Sequence, residues 1–329
     1  MELALFYYLL LGFAVLMYVV LDGFDLGLGI LYPWFKSENE RDHMMRSISH
    51  VWDGNETWLV FGGVVLFAAF PAAYAGILST LYIPIILMLI GLIFRGVAFE
   101  YRFKSTRSKK LWDLSFSLGS AVATFCQGAI LGAVVQGVEA GEQTALQWLS
   151  PFGIFTGLSL MVAYALLACC YLVLKSRGDI MRRAAHLGRR LVVAMMVILA
   201  MVSMWTLLSN AEVRARWLEG YNYIWLAPLP LLSAAFGWLL YRDLDGEPHE
   251  TRPFWLAAGL FVMGFSGLVV SLFPYIIPHQ LTFMQASAPD SSMAFLLPGV
   301  LIFLPLIGAY TLWGYRIFSG KVEDFEEGY

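Results

Sequence analysis

Nine runs of mostly apolar residues dominate this chain, near 3–31, 52–72, 77–99, 114–138, 151–174, 191–210, 222–241, 254–274 and 293–317. Each matches the length of about 20 residues that a helix needs to cross a hydrocarbon core. In lipid every backbone amide must find its partner inside the protein, and for runs of this length that means a helix. The expectation is an all-α integral membrane protein of about nine transmembrane helices packed as helical bundles. The connections are short, so residues 1–329 read as a single membrane domain.

Composition agrees. Hydrophobic residues make up 59% of the chain and charged residues 14%, against about 45–50% and 25% in soluble domains. A soluble enzyme and a disordered chain are excluded. With a net charge of −3 there is no basic field to hold phosphates, so no nucleic-acid partner is expected. The Lys and Arg residues gather on alternate connections, such as Lys36, Arg41 and Arg46 in 32–50 and Arg182, Arg183, Arg189 and Arg190 in 175–190. The opposite connections carry only Arg214 and Arg216. Because basic loops stay cytoplasmic, the N-terminus is expected outside and the C-terminus inside. The first run has no basic lead-in and stays apolar to Leu21, which reads as a spanning helix rather than a cleaved signal. Cys126, Cys169 and Cys170 all fall in apolar stretches and read as small packing residues. No internal repeat stands out, and Pro84 and the 274–278 prolines read as local bends near helix ends.

Ionisable residues that enter the spans carry more information. Asp22 and Asp25, three apart, share one face toward the end of the first run. Gly23, Gly27 and Gly29 surround them and allow close helix packing, as does Gly54 in the second run. That second run opens Trp52-Asp53-Gly54-Asn55-Glu56, so Asp53 and Glu56 repeat the acidic spacing. Two readings stand. The two acidic pairs form a proton-conducting entrance, or Asp53 and Glu56 are first-turn helix acids and Asp22 pairs with a basic neighbour. Arg95 in the third run needs a partner at its depth, and pairing with an acid of the first two helices is favoured over snorkelling; Glu100, five residues on, shares its face poorly. Asp22, Arg95, Glu100 and Asn55 are therefore candidates for structural ion pairing. His43, His50, His186, His249 and His279 lie in connections or at run ends, so no haem ligand inside a span is expected.

The stretches Met17–Gly27, Val51–Leu59, Leu66–Pro71 and Phe94–Arg102 together resemble subunit II of cytochrome bd-type quinol oxidases. The likeness is dense over about the first 138 residues and returns at Ser271–Tyr275 and Ala286–Ser292; Asn55-Glu56-Thr57-Trp58 is nearer the cyanide-insensitive branch. The resemblance implies a bacterial inner-membrane terminal oxidase complex that oxidises quinol and reduces dioxygen to water. It implies that haems b and b/d are ligated by subunit I, that a small single-span subunit sometimes joins, and that this chain sits in the lipid bilayer as companion subunit. It also implies a cytoplasm-side proton route through Trp52, Asp53 and Asp25 with Arg95 beside it, and a bound quinone or lipid without assigned contacts. On the residues alone a secondary transporter or ion channel using Asp25, Asp53 and Arg95 is the alternative.

Overall fold

The computed structural model describes residues 2–137, 146–246 and 248–322. Among them are thirteen α-helices and one two-stranded hairpin. In order these are α1 (Glu2–Leu31), α2 (Glu38–Ile48), α3 (Trp52–Ala69), α4 (Pro71–Arg102), α5 (Lys109–Gln136), α6 (Pro151–Lys175) and α7 (Gly178–Ser209). After these come α8 (Ala211–Leu218), α9 (Asn222–Leu226), α10 (Pro228–Asp243) and α11 (Arg252–Leu272). The strands β1 (Tyr275–Ile277) and β2 (Leu281–Thr282), the short α12 (Phe283–Ala286) and α13 (Asp290–Ile317) complete the chain.

Eight of the described helical segments are long and apolar enough to cross a membrane. The chain is a multi-pass membrane protein. α3 stands apart from the eight because its first turn, Trp52-Asp53-Gly54-Asn55-Glu56, dilutes an otherwise apolar helix of 18 residues. All nine expected runs fall on helices; the last residue of the run at 114–138 lies outside the described residues.

Several boundaries differ from expectation, each for a physical reason. The basic connection expected at 175–190 is mostly helix, because α7 starts at Gly178. Its early turns bury Ala184, Ala185 and Gly188 on one side while Arg182, Arg183 and Arg190 stay exposed on the other. Such an amphipathic extension is hidden from an apolar run count. Within the connection at 32–50 lies α2, started by a capping box in which Ser37 Oγ accepts from Glu40 N–H (3.1 Å) and the Glu40 carboxylate accepts from Ser37 N–H (3.3 Å). The bend expected near a helix end at Pro84 is instead inside α4, where Leu81 leaves helical geometry three residues before the proline ring that obstructs the helix. Pro274 and Pro278 belong to the hairpin that follows α11.

Packing centres on α1 and α6. α1 lies against α3, α5 and α6, with α11 and α13 touching it from further sides. Two thirds of the apolar window of α6 is buried, against 11% for α7 and α13. The largest core cluster joins the second half of α1 (Phe24, Leu26, Leu28, Leu31) to α6 (Tyr164 to Val173) and to α11 (Phe254, Leu256, Ala257, Leu260, Phe261).

Candidate functional site

A group of buried polar residues, Asp22, Asp25, Asn55 and Arg95, converges on the second half of α1. Asp22 to Gly29 are buried without interruption, so this segment meets protein on every side. Gly27 makes that possible, since a Cβ there would stand 2.0 Å from the carbonyl oxygen of Tyr164 on α6. Gly23 faces the Tyr164 ring, Gly29 faces Ser120, and Gly54 faces the Tyr310 ring, each too closely for a side chain.

Arg95 reaches from α4 into this interior and is fully buried. Its Nη1 donates to Asp22 Oδ1 at 2.7 Å and its Nη2 to Glu56 Oε1 at 2.6 Å. Asp22 is 0% exposed and Glu56 25%, so Glu56 forms the outer edge of the cluster. The Trp52 ring lies 5.9 Å from the guanidinium and is itself stacked on Phe99 (5.1 Å). Arg95 therefore pairs with an acid of each of the first two membrane runs. Asp22 takes the basic neighbour that was one of its two readings.

Asp25 is held differently. Its Oδ2 accepts from Asn55 Nδ2 at 2.8 Å, and Asn55 also donates to the Leu21 carbonyl (3.2 Å). Asn55 Oδ1 accepts in turn from the Tyr315 hydroxyl at 2.9 Å. Four buried oxygens nearby have no protein partner: Asp22 Oδ2, Asp25 Oδ1, and the hydroxyls of Ser120 and Thr124 on α5; Arg95 Nε is a donor in the same state. Buried polar atoms of this kind are the usual seats of internal water. Further along α1, Gln127 Nε2 donates to the Tyr18 hydroxyl (2.6 Å) while Gln127 Oε1 accepts from the Tyr164 hydroxyl (3.0 Å). A polar seam thus runs along the α1–α5 contact, in a chain otherwise built from apolar helices.

Two expected members stand apart. Asp53 is exposed, and its Oδ1 accepts from the N–H of Gly54 (2.8 Å), a donor with no partner inside the helix. The paired acids of the second run are therefore split, with Glu56 in the cluster and Asp53 outside it. Glu100 pairs with Lys104 at 3.0 Å, both mostly exposed, and does not reach Arg95. A second ionic cluster was not anticipated. Asp113 Oδ1 accepts from Arg102 Nε (2.5 Å) and from Tyr32 (3.1 Å), and Asp113 Oδ2 from Arg41 (3.0 Å), with Asp42 also on Arg102. It ties the end of α1 to α2, α4 and α5. The clue available in the sequence was an acid at the edge of an apolar run, opposite a basic connection.

The histidines are engaged elsewhere. His43 Nε2 is 2.8 Å from Ser176 Oγ, His50 stacks on Phe318 (4.3 Å), and His279 Nε2 lies 3.0 Å from Asn210. His186 and His249 are exposed. Among the described residues no group of three His, Cys, Asp or Glu gathers as a metal site.

A multi-helix membrane protein with a buried ion cluster between its first helices is the class that the fold and this site define. The profile of cytochrome bd terminal oxidase subunit II matches residues 3–318, and the chain belongs to that family. The cytochrome bd-I ubiquinol oxidase subunit 2 of Escherichia coli (strain K12) is 28% identical over 97% of this chain and 96% of its own length. The cytochrome bd ubiquinol oxidase subunit 2 of Bacillus subtilis (strain 168) is 27% identical over 93% of each. The bd oxidase structure from Geobacillus thermodenitrificans shares the fold, with a TM-score of 0.76 and 18% identity over 96% of this chain and 99% of that one. The family is that of a haem-containing oxidase complex with a partner subunit I, and it does not favour the transporter or channel reading.

Proposed function

We infer that this chain is the membrane companion of the haem-bearing subunit I in a bacterial cytochrome bd-type quinol oxidase. The complex oxidises quinol and reduces dioxygen to water. The haems b and b/d, held by subunit I, supply the electron-transfer and oxygen chemistry. The chain forms one membrane domain with nine crossings, α3 being the ninth. Its N-terminus lies outside and its C-terminus in the cytoplasm, as the basic connections require.

Its own contribution is twofold. It scaffolds subunit I, and it carries protons from the cytoplasmic side through the buried acids of α1. The observation behind the second role is the charge count of the cluster. Asp22 and Glu56 share one guanidinium, and Asp25 is a third acid held by Asn55, with its Oδ1 left without a protein partner. A purely structural ion pair needs no surplus acid, because each buried charge is costly unless compensated. An acid with an open oxygen beside unpartnered hydroxyls can hand a proton to water.

The test is the visible spectrum and quinol-driven oxygen uptake of the chain alone and of the assembled complex. A Soret band should require the partner subunit; a stoichiometric band from the chain alone overturns the reading. In the complex, Asp25→Asn should slow turnover at unchanged haem content. Undiminished turnover would leave scaffolding as the sole role.

A further inference from the structure

Where α7 starts and α10 stops, most arginines are matched by an acid. Arg182 pairs with Asp179 (2.6 Å), Arg183 with Glu40, Arg189 with Asp245, and Arg252 with Asp243 (3.0 Å). Arg190 and Arg242 differ. Both are exposed, and among the described residues neither has an acid in ion-pair reach. The Arg242 guanidinium lies instead 4.9 Å from the centre of the Trp238 ring, which is 58% exposed. Arg189 lies over the Tyr241 ring of α10 (4.3 Å), and its Nε is buried without a partner. Arg190 follows Arg189 and Arg242 follows Tyr241, so the two unmatched arginines flank the contact between the helices. Deeper in the span Gly237 keeps that contact close, since a Cβ there would stand 2.4 Å from the sulfur of Met196.

Each of these arginines ends an exposed helical stripe. On α7 Arg190, Val193, Val197 and Met201 are all exposed, and on α10 so are Leu231, Ala235, Trp238 and Arg242; spacings of three and four put each set on one face. Apart from Ala235 these side chains are bulky, whereas close helix partners in membranes meet at small residues. The glycines with open space beside them lie elsewhere, Gly63 on α3 and Gly299, Gly308 and Gly314 on α13. The outer face of α7 and α10 therefore suits acyl chains better than another helix. We propose that Arg190 and Arg242 bind the phosphate of an anionic membrane lipid of the phosphatidylglycerol type, with its acyl chains along the two stripes. A guanidinium takes a phosphodiester through paired N–H donors, and the Trp238 ring holds that of Arg242 at the level of the headgroups. Basic sites between membrane helices at this level are suited to anionic headgroups. A zwitterionic lipid carries its own cation and gains less from the pair. The site is independent of the proton-route reading, whose residues stand on α1, α3 and α4.

The test is made on the assembled complex, stripped of lipid in detergent and titrated with dioleoylphosphatidylglycerol, with each bound lipid counted by native mass spectrometry. One binding step should weaken about five-fold in Arg190→Gln or Arg242→Gln and roughly thirty-fold in the double variant, from about 1 kcal/mol for each basic residue at an anionic surface. The single variants carry the test should the double one not assemble. Lys36→Gln removes an exposed charge in the connection before α2, outside both stripes, and should leave every step unchanged. Phosphatidylcholine should fill the same step at least ten-fold more weakly, and inorganic phosphate should not displace the lipid. Unaltered phosphatidylglycerol binding in the arginine variants overturns the site. Equal weakening in Lys36→Gln would show a general surface field instead of a site, and equal binding of phosphatidylcholine would remove the headgroup selectivity; either result defeats the proposal. Displacement by inorganic phosphate would mark a free-anion site and defeat the lipid assignment.

Discussion

The two halves of α1 are one helix in two environments. From Ala4 to Tyr18 it buries a stripe, Ala4, Tyr7, Leu10, Ala14 and Tyr18, and leaves Leu5, Leu9 and Phe13 exposed on the other side. From Asp22 to Gly29 there is no exposed side at all. The first half needs only apolar contact on one face, which is the ordinary condition of a peripheral membrane helix. The second half is surrounded, and the buried acids of the helix, Asp22 and Asp25, lie there. Both facts have one cause. Carboxylates are tolerated inside a membrane protein only where other helices bring donors to them, and α3 and α4 bring Asn55 and Arg95, with Tyr315 of α13 holding Asn55. The crowding that excludes lipid also assembles the cluster.

Substitutions can break or sharpen this contrast. The largest effect is expected from Arg95→Met, which strands Asp22 and Glu56 without their cation. The assembled complex should lose about 3–5 kcal/mol of stability, read as a lower thermal midpoint and loss of haem on heating. Adding Asp22→Asn and Glu56→Gln should recover part of the loss. If Arg95→Met alone is harmless, the ionic account of the second half fails.

Next comes a pair of glycines on the same helix. Gly27→Val places side-chain atoms on the Tyr164 backbone and should cost about 1–3 kcal/mol or more through forced helix separation. Gly12→Ala, whose new Cβ would be 4.0 Å from Phe265, should stay within about 0.5 kcal/mol. Equal effects at the two sites, measured by yield and melting of the complex, would erase the difference between the halves.

Tyr315→Phe removes the hydroxyl that holds Asn55 Oδ1 and leaves a buried acceptor unpaired. The expected cost is about 1–2 kcal/mol. A matched loss in Leu9→Ala, in the exposed stripe of the first half, would argue against a special role for the surrounded segment.

The smallest effect concerns pH at His50, in the turn between α2 and α3. Partial burial holds His50 below its ordinary imidazole pKa of 6.5, so the folded chain prefers the neutral ring stacked on Phe318. With the folded value lowered, the stabilisation is complete above pH 6.5 and is lost as pH falls through the folded pKa. Melting of the complex between pH 8 and 5 should therefore show a small extra decline on acidification that is absent in His50→Phe. A parent profile identical to that of His50→Phe would remove His50 from the account.

Much of this was legible before any coordinates. The nine apolar runs fall on helices, because the cost of an unpaired amide in hydrocarbon leaves a chain of this composition little choice. Arg95 could be read as paired because a buried guanidinium without an acid is too costly to keep. The glycines around Asp22 and Asp25 announced close packing, and Tyr164 and Ser120 provide it. Less legible were features that mix polar and apolar residues. Examples are the amphipathic α2, the basic first turns of α7, and the Asp113–Arg102 cluster beside them.

Local pattern thus determined that the chain would be a set of membrane helices carrying acids near one end of the first. It could not separate Asp53 from Glu56, which have the same charge, nearly the same position and the same spacing motif. That choice was made by where α4 sets Arg95 and by a free N–H at the start of α3, which draws Asp53 outward. Nor could any spacing rule reveal that Tyr315, 260 residues from Asn55, would close over its amide. Short-range periodicity encodes which face of a helix is greasy; which neighbour meets that face depends on the simultaneous packing of all the others.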